Sequence, residues 1–219
     1  MSSSTNEGNA ESRCLAFAGS RCLAKGNLLE VALKAREALE QGESDPILIF
    51  NEKTSRLVEV DFGASEAAIR QRFASLCMPD GPKEEEPTGT KRGPGRPKMG
   101  VVGREVTLLP RHWEWLDEQP GGASVALRKL VEMAKRANQG EDCFRKAQES
   151  VHRFMWAMAG DLPGFEEASR SFYAGNYELF TELTGSWPKD IRTHLLDLVG
   201  AVAQARESIR RKNSEPPEK

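Results

Sequence analysis

Residues Met78 to Thr90 hold three prolines, two glycines and the run Glu84-Glu85-Glu86. Such a segment has too few apolar side chains to bury a core, and it reads as a flexible linker. The chain therefore divides, and its folded parts must lie on either side. A length of 219 residues fits one large domain or two to three small ones. Apolar residues make up 38% and charged residues 29%, so each part can fold, but none around a large core.

Before the linker, residues 1–12 are rich in Ser, Asn and Glu and are expected to be disordered. Residues 13–77 read as a small α+β domain of order β-β-α-β-β-α. Cys14–Ala18 is a strand, Gly19-Ser20 turns the chain, and Arg21–Ala24 returns as its partner. Asn27 caps a helix with Leu29, Ala32, Leu33 and Leu39 at helical spacing, and Gly42 ends it. Pro46–Phe50 is a buried strand, and Arg56–Asp61 alternates as a half-exposed one. Ala64–Leu76 forms a helix with Ile69, Phe73 and Leu76 inward.

Residues 141–212 read as an α-helical domain resembling a four-helix bundle. Phe144, Ala147, Val151, Met155 and Met158 recur at helical spacing until Gly160 and Pro163 break the helix. Phe165, Ala168 and Phe172 start another, which Gly175 ends. Asn176 caps a short helix carrying Tyr177, Phe180 and Leu183. Gly185-Ser186-Trp187-Pro188 opens the last, striped by Ile191, Leu195, Leu198, Val202, Ala205 and Ile209. Residues 213–219 are a polar tail.

The residues argue against catalysis. Cys14, Cys22, Cys77 and Cys143 show no C-x-x-C spacing, and His112, His152 and His194 are scattered, so no metal site is expected. No phosphate-binding glycine loop is present. Glu59 and Asp61 share a strand face, as solvated carboxylates commonly do. Asp161, Glu166, Glu167 and Asp190 fall in loops and helix first turns, where acids are favoured in any case. With no nucleophile–base pair, the chain is expected not to be an enzyme and to need no cofactor. No run approaches the roughly 18 apolar residues of a membrane span. Met1–Glu11 lacks the pattern of a signal peptide, so a cytoplasmic place is expected.

Charge is distributed unevenly. The whole chain carries -2. From Pro87 to His112, however, six basic residues stand against Glu105 alone, a local +5, whereas residues 1–80 balance to -3. A cationic block in an acidic chain marks a local contact with a polyanion. Its core, Lys91-Arg92-Gly93-Pro94-Gly95-Arg96-Pro97-Lys98, resembles the AT-hook, an arm that lies in the minor groove. The resemblance implies that Arg96 enters the narrow, negative groove of A·T-rich DNA while Lys91, Arg92 and Lys98 meet phosphates. Gly95 lets the backbone approach the groove floor, and Pro97 keeps the arm extended.

Residues 104–138 follow at once. Val106-Thr107-Leu108 is β-prone, Pro110 suits a helix start, and Trp113 with Leu116 lines one helical face. Pro120-Gly121-Gly122 stops that helix. Ser124 then caps a second one, whose apolar face is Leu127, Leu130, Val131 and Ala134. A lone strand leaves open edges, and the simplest remedy is pairing with the same strand of a second chain. Val106–Leu108, Trp115–Gln119, Ser124 and Leu127-Arg128 resemble the ribbon-helix-helix module of bacterial antitoxins and of Arc and MetJ type repressors. The likeness covers about 33 residues, Arg104 to Arg136. It implies a two-fold dimer whose paired strands enter the major groove. One register turns Thr107 and Glu105 to the DNA; the other presents Arg104, Val106 and Leu108. Amides near Ala123 and Ser124 would bind phosphate. The plainer alternative is a helical hairpin within one chain, with Val106–Leu108 extending the N-terminal sheet. Trp113 and Trp115 lie two apart, so at least one must be exposed or at an interface.

Gly95–Gly100, Arg104–Val131 and Ala157–Glu166 also resemble a bacterial family known only as a domain of unknown function. That likeness bears on architecture and supplies no activity. The sequence thus leads to a DNA-binding homodimer, a bacterial transcriptional regulator or nucleoid-associated protein with an A·T-rich preference. The alternative is an antitoxin-like protein-interaction module. Nothing in the residues names a small-molecule effector.

Overall fold

Strand β1, Arg13–Ala18, has every residue buried except Arg13. It lies between β2 (Arg21–Asn27) and β3 (Ile47–Asn51), antiparallel to both, in a sheet of order β2-β1-β3. Gly19, at φ +52, makes the β1–β2 turn in a conformation that only glycine adopts without strain. Because side chains alternate across a strand, β1 feeds two cores. Cys14 and Ala16 join one; Leu15 and Phe17 join the other.

The structure, a computed structural model, describes residues 13–63, 67, 69–71 and 104–214. The chain forms two compact units, one of Met1–Pro79 with Gly140–Lys219, the other of Asp80–Gln139. In the first unit, helix α1 (Leu28–Glu40) covers one face of the sheet. Asn27 caps it by accepting from the Glu30 amide at 2.9 Å. Its buried stripe is Leu28, Val31, Ala32 and Ala35. Of the expected Leu29, Ala32, Leu33 and Leu39, Ala32 is buried, Leu29 and Leu33 are half-buried against the same core, and only Leu39 is exposed. The small side chains of Ala32 and Ala35 let the helix lie close to Cys14 and Ala16.

The other sheet face meets helices α3 (Gly122–Ala159, from Gly140 onward), α4 (Phe165–Ala174), α5 (Tyr177–Leu183) and α6 (Lys189–Ser214). Helix α2 (Pro110–Asp117) belongs to the second unit. Phe17 and Phe50 from the sheet contact Phe154 of α3, with ring centroids 5.6 and 5.3 Å away. The Cys22 amide donates to Asp190 Oδ2 at 2.9 Å, tying β2 to α6. Buried Ser55 and Ser150 hydroxyls meet at 2.8 Å, and Arg153 donates to the Thr54 carbonyl at 2.7 Å. The α+β piece and the helical piece expected as separate domains therefore share one core.

Four expectations are corrected. Residues 56–61 form no strand; a single bridge joins Leu57 to Phe50, and Asp61 then turns the chain by accepting from the Gly63 amide at 3.0 Å. Glu105–Leu108 is not a strand in the single chain, because no ladder partner is supplied. The second helix of the central segment does not stop near Arg136 but continues unbroken to Ala159. Gly140 permits this: a glycine costs a helix only about 1 kcal/mol, and a Cβ there would lie 3.0 Å from Ile209 Cγ1. Finally, α6 runs to Ser214 rather than ending at Lys212. Of the expected helix 64–76, Ile69 is buried and residues 69–71 are helical; most of the rest lies outside the described residues.

Phe17→Ala should destabilise the protein by about 3–5 kcal/mol, because it empties the junction of sheet and helices. Urea denaturation followed by far-ultraviolet circular dichroism measures this. A loss below about 1 kcal/mol would mean the two layers do not depend on this ring.

Candidate functional site

The second unit is described from Arg104 onward. Residues Arg104 to Leu109 carry no regular structure and lead into α2, which has Pro110 at its first position and Leu109 as an uncapped N-cap. Arg104, Glu105, Val106 and Thr107 are all exposed, and only Leu108 is half-buried. Neither register expected for this segment is selected by burial within one chain. Lys91, Arg92, Gly95, Arg96, Pro97 and Lys98 lie outside the described residues.

Ser124 does not cap the second helix. Helix α3 starts two residues earlier, at Gly122, where Gly121 and Gly122 take φ +89 and +73 and the Gly122 amide donates to the Gln119 carbonyl at 2.9 Å. Two consecutive left-handed residues turn the chain before Ser124 is reached, so Ser124 lies inside the first turn. Arg128 folds back onto it, with Nε 3.0 Å from the Ser124 carbonyl and Nη2 3.4 Å from Oγ. A guanidinium therefore stands on the first turns of α3, held by the Ser124 carbonyl and hydroxyl. In the sequence Arg128 enters only through the ribbon-helix-helix resemblance; its i,i+4 spacing from Ser124 was the available signal for this contact.

The apolar residues of this unit are mostly uncovered. Leu116 and Ala126 are buried, but Val106, Leu109, Trp113, Trp115, Leu130, Val131 and Met133 are exposed. Val131 keeps 61% and Met133 65% of its surface, so among the described residues the stripe expected to pack as a helical face is largely uncovered, with only Leu127 half-buried. Both tryptophans are exposed, where at least one was expected to be.

The first unit offers little chemistry. His194 is buried edge-on against Phe154, centroids 4.6 Å apart, and its Nε2 has no hydrogen-bond partner among the described residues. Burial, aided by Lys25, lowers its pKa to about 4, so it is a neutral core ring at neutral pH. Burial pushes the Cys14 thiol up to about 11 and raises that of Cys22 as well, the reverse of an activated nucleophile. His152 Nδ1 meets the Tyr173 hydroxyl at 2.8 Å on the surface, and Nε2 has no partner among the described residues. Sequence reasoning treated His152 as solitary; the pair joins α3 to α4 and was not visible in spacing. Among the described residues no group of three His, Cys, Asp or Glu is placed to hold a metal ion, and no helix is long and apolar enough to cross a membrane.

Residues 13–199 match a family of bacterial proteins described as "Uncharacterized protein conserved in bacteria (DUF2239)". The chain belongs to the DUF2239 family. The DUF2239 match begins with β1 and ends within α6, so it takes in both units and the shared core of the first. No curated protein and no solved structure matches the chain.

His194 sets an acid limit on the DUF2239 fold. The unfolded chain protonates this ring near the ordinary 6.5, while the folded protein resists until about 4. Stability should thus fall as pH drops through that window, by an amount on the order of 3 kcal/mol. His194→Gln should remove that share of the acid slope in urea titrations between pH 7 and 4. An identical slope in both proteins would show that another group carries it.

Proposed function

We propose that this protein binds DNA as a homodimer, serving as a bacterial transcriptional regulator or nucleoid-associated protein. The observation that carries this reading is the exposed apolar set of the second unit. Val106, Leu109, Leu130, Val131 and Met133 are large, uncovered and close in sequence, and full burial of each such side chain is worth about 1.5–3 kcal/mol. A second copy supplies a matching surface and, at Glu105–Leu108, a partner strand. That pairing is the one the ribbon-helix-helix likeness implies, and it would carry Thr107 or Arg104 into the major groove. In that pairing Arg128 and the first turn of α3 would meet a phosphate. Lys91 to Lys98 add a minor-groove arm with an A·T-rich preference. Tethering arm and strand in one chain raises the effective concentration of the second contact once the first has formed.

A second reading keeps the exposed surface but covers it with a different protein, as in an antitoxin. The same uncovered Trp115 and Val131 favour it. Co-purification of a stoichiometric protein partner without nucleic acid would select it over self-pairing.

Light scattering should give the mass of a dimer, and Val131→Glu should shift it towards the monomer. Gel-shift affinity for A·T-rich duplex should fall about tenfold or more between 50 and 200 mM salt, because phosphate contacts release counterions. Arg96→Ala should weaken binding about tenfold, most on A·T-rich DNA. Absence of binding near physiological salt, or binding indifferent to salt, would sink the DNA reading. A monomer that still binds DNA would remove the paired strand from it.

A further inference from the structure

In the first unit, Glu141, Phe144 and Gln148 of α3, Phe172 of α4, Tyr177 of α5 and Arg206 of α6 surround a cleft of about 370 Å³. That volume lies in the lower part of the range of small-molecule sites, ~300–1,000 Å³. The cleft has an aromatic floor. Phe172 is buried, Phe144 and Tyr177 are half-buried, and the Phe172 and Tyr177 ring centroids lie 6.1 Å apart. Its walls are polar and unpaired: the Glu141 carboxylate, the Gln148 amide, the Tyr177 hydroxyl and the Arg206 guanidinium have no hydrogen-bond or ion-pair partner among the described residues.

Two features make this more than a surface dent. Opposite charges, Glu141 and Arg206, face the same cleft without closing on each other. Among the described residues of this unit most side-chain ion pairs are simple i,i+3 or i,i+4 pairs, such as Arg153–Glu149 and Arg170–Glu166. Arg206 is also given a seat. Gly175 ends α4 at φ +76, and a Cβ there would run into the guanidinium, so the glycine leaves the space that the charge occupies. The guanidinium stands beside the carbonyl end of α4, which holds a cation in place before any ligand arrives.

The ligand that matches these groups carries both charges on a small apolar body. We propose that the cleft binds a free α-amino acid with an aromatic or branched apolar side chain. Its carboxylate pairs with Arg206, a geometry suited to a planar guanidinium. Its ammonium pairs with Glu141 and lies against the aromatic wall, a favourable place for a cation. Its side chain displaces water from Phe144, Phe172 and Tyr177. An anion alone would leave Glu141 facing it with like charge, and an amine alone would meet Arg206 in the same way. This site is independent of the DNA reading of the second unit.

The test uses the full chain in calorimetry and thermal-shift assays with L-phenylalanine, L-leucine, 3-phenylpropionate and 2-phenylethylamine. Phenylalanine or leucine should bind and raise Tm, and each half-molecule should bind about tenfold more weakly or worse. Arg206→Gln and Glu141→Gln replace exposed side chains, so both variants should keep the parent's melting curve without ligand. Each should weaken amino-acid binding about tenfold or more. Arg206→Gln should remove the discrimination against phenylethylamine, and Glu141→Gln that against phenylpropionate. No heat and no Tm shift with either amino acid at about 10 mM would overturn the proposal. So would amino-acid binding unchanged in both variants, or phenylethylamine binding the parent as tightly as phenylalanine.

Discussion

The contact among Phe17, Phe50 and Phe154 holds the first unit together. Two rings come from adjacent strands and one from α3, with centroids 5.3–6.4 Å apart. Edge-on and tilted aromatic packing of this kind adds to the burial of the rings themselves. A three-stranded sheet with one helix on it would leave Leu15, Phe17 and Phe50 facing water. The helices from Gly140 onward cover them, and the sheet in turn closes the core around Phe154, Leu195 and Val202. Neither half is complete alone.

That dependence explains how the chain tolerates a long, differently built stretch in its middle. The second unit, Asp80–Gln139, is inserted between the two halves of the first. Loop-closure entropy grows only logarithmically with length, by about 0.6 kcal/mol per doubling, so a core of this extent can bear the insertion. The insertion itself has few buried apolar residues among those described, chiefly Leu116 and Ala126. Leu130, Val131 and Met133 stand exposed, and the surface they form is the one that the proposed pairing with another chain would cover.

Local punctuation was legible in the residues. Asn27 and Asn176 accept from amides three residues on, at 2.9 and 3.1 Å, as their positions before apolar runs implied. Gly42 and Gly175 take positive φ beyond helix ends. The stripe Ile191, Leu195, Leu198, Val202 is buried on α6. Other features misled. A boundary was expected between residues 138 and 141, yet the helix passes through Gly140, where Ile209 packs close to the backbone. The alternation at 56–61 resembled a strand, yet only Leu57 is paired. Ser124 resembled a cap, yet two positive-φ glycines start the helix before it. Of the residues expected to meet DNA, Arg104, Thr107 and Ser124 are exposed; the hold of Arg128 on Ser124 is a matter of rotamer, which spacing alone does not give.

By itself, the sequence determined most of the element types among the described residues, the helix caps at Asn27 and Asn176, and the place of the basic block. Each is written in a few neighbouring residues, where periodicity, capping and charge act over one or two turns. Only the tertiary structure decided that the N-terminal sheet and the C-terminal helices share a core, that Phe154 joins them, and that Glu141 and Arg206 face one cleft. Those facts depend on contacts between residues far apart in the chain, such as Phe17 with Phe154 and Cys22 with Asp190. No local pattern encodes such contacts, because an apolar stripe states that a face must be covered but not what covers it.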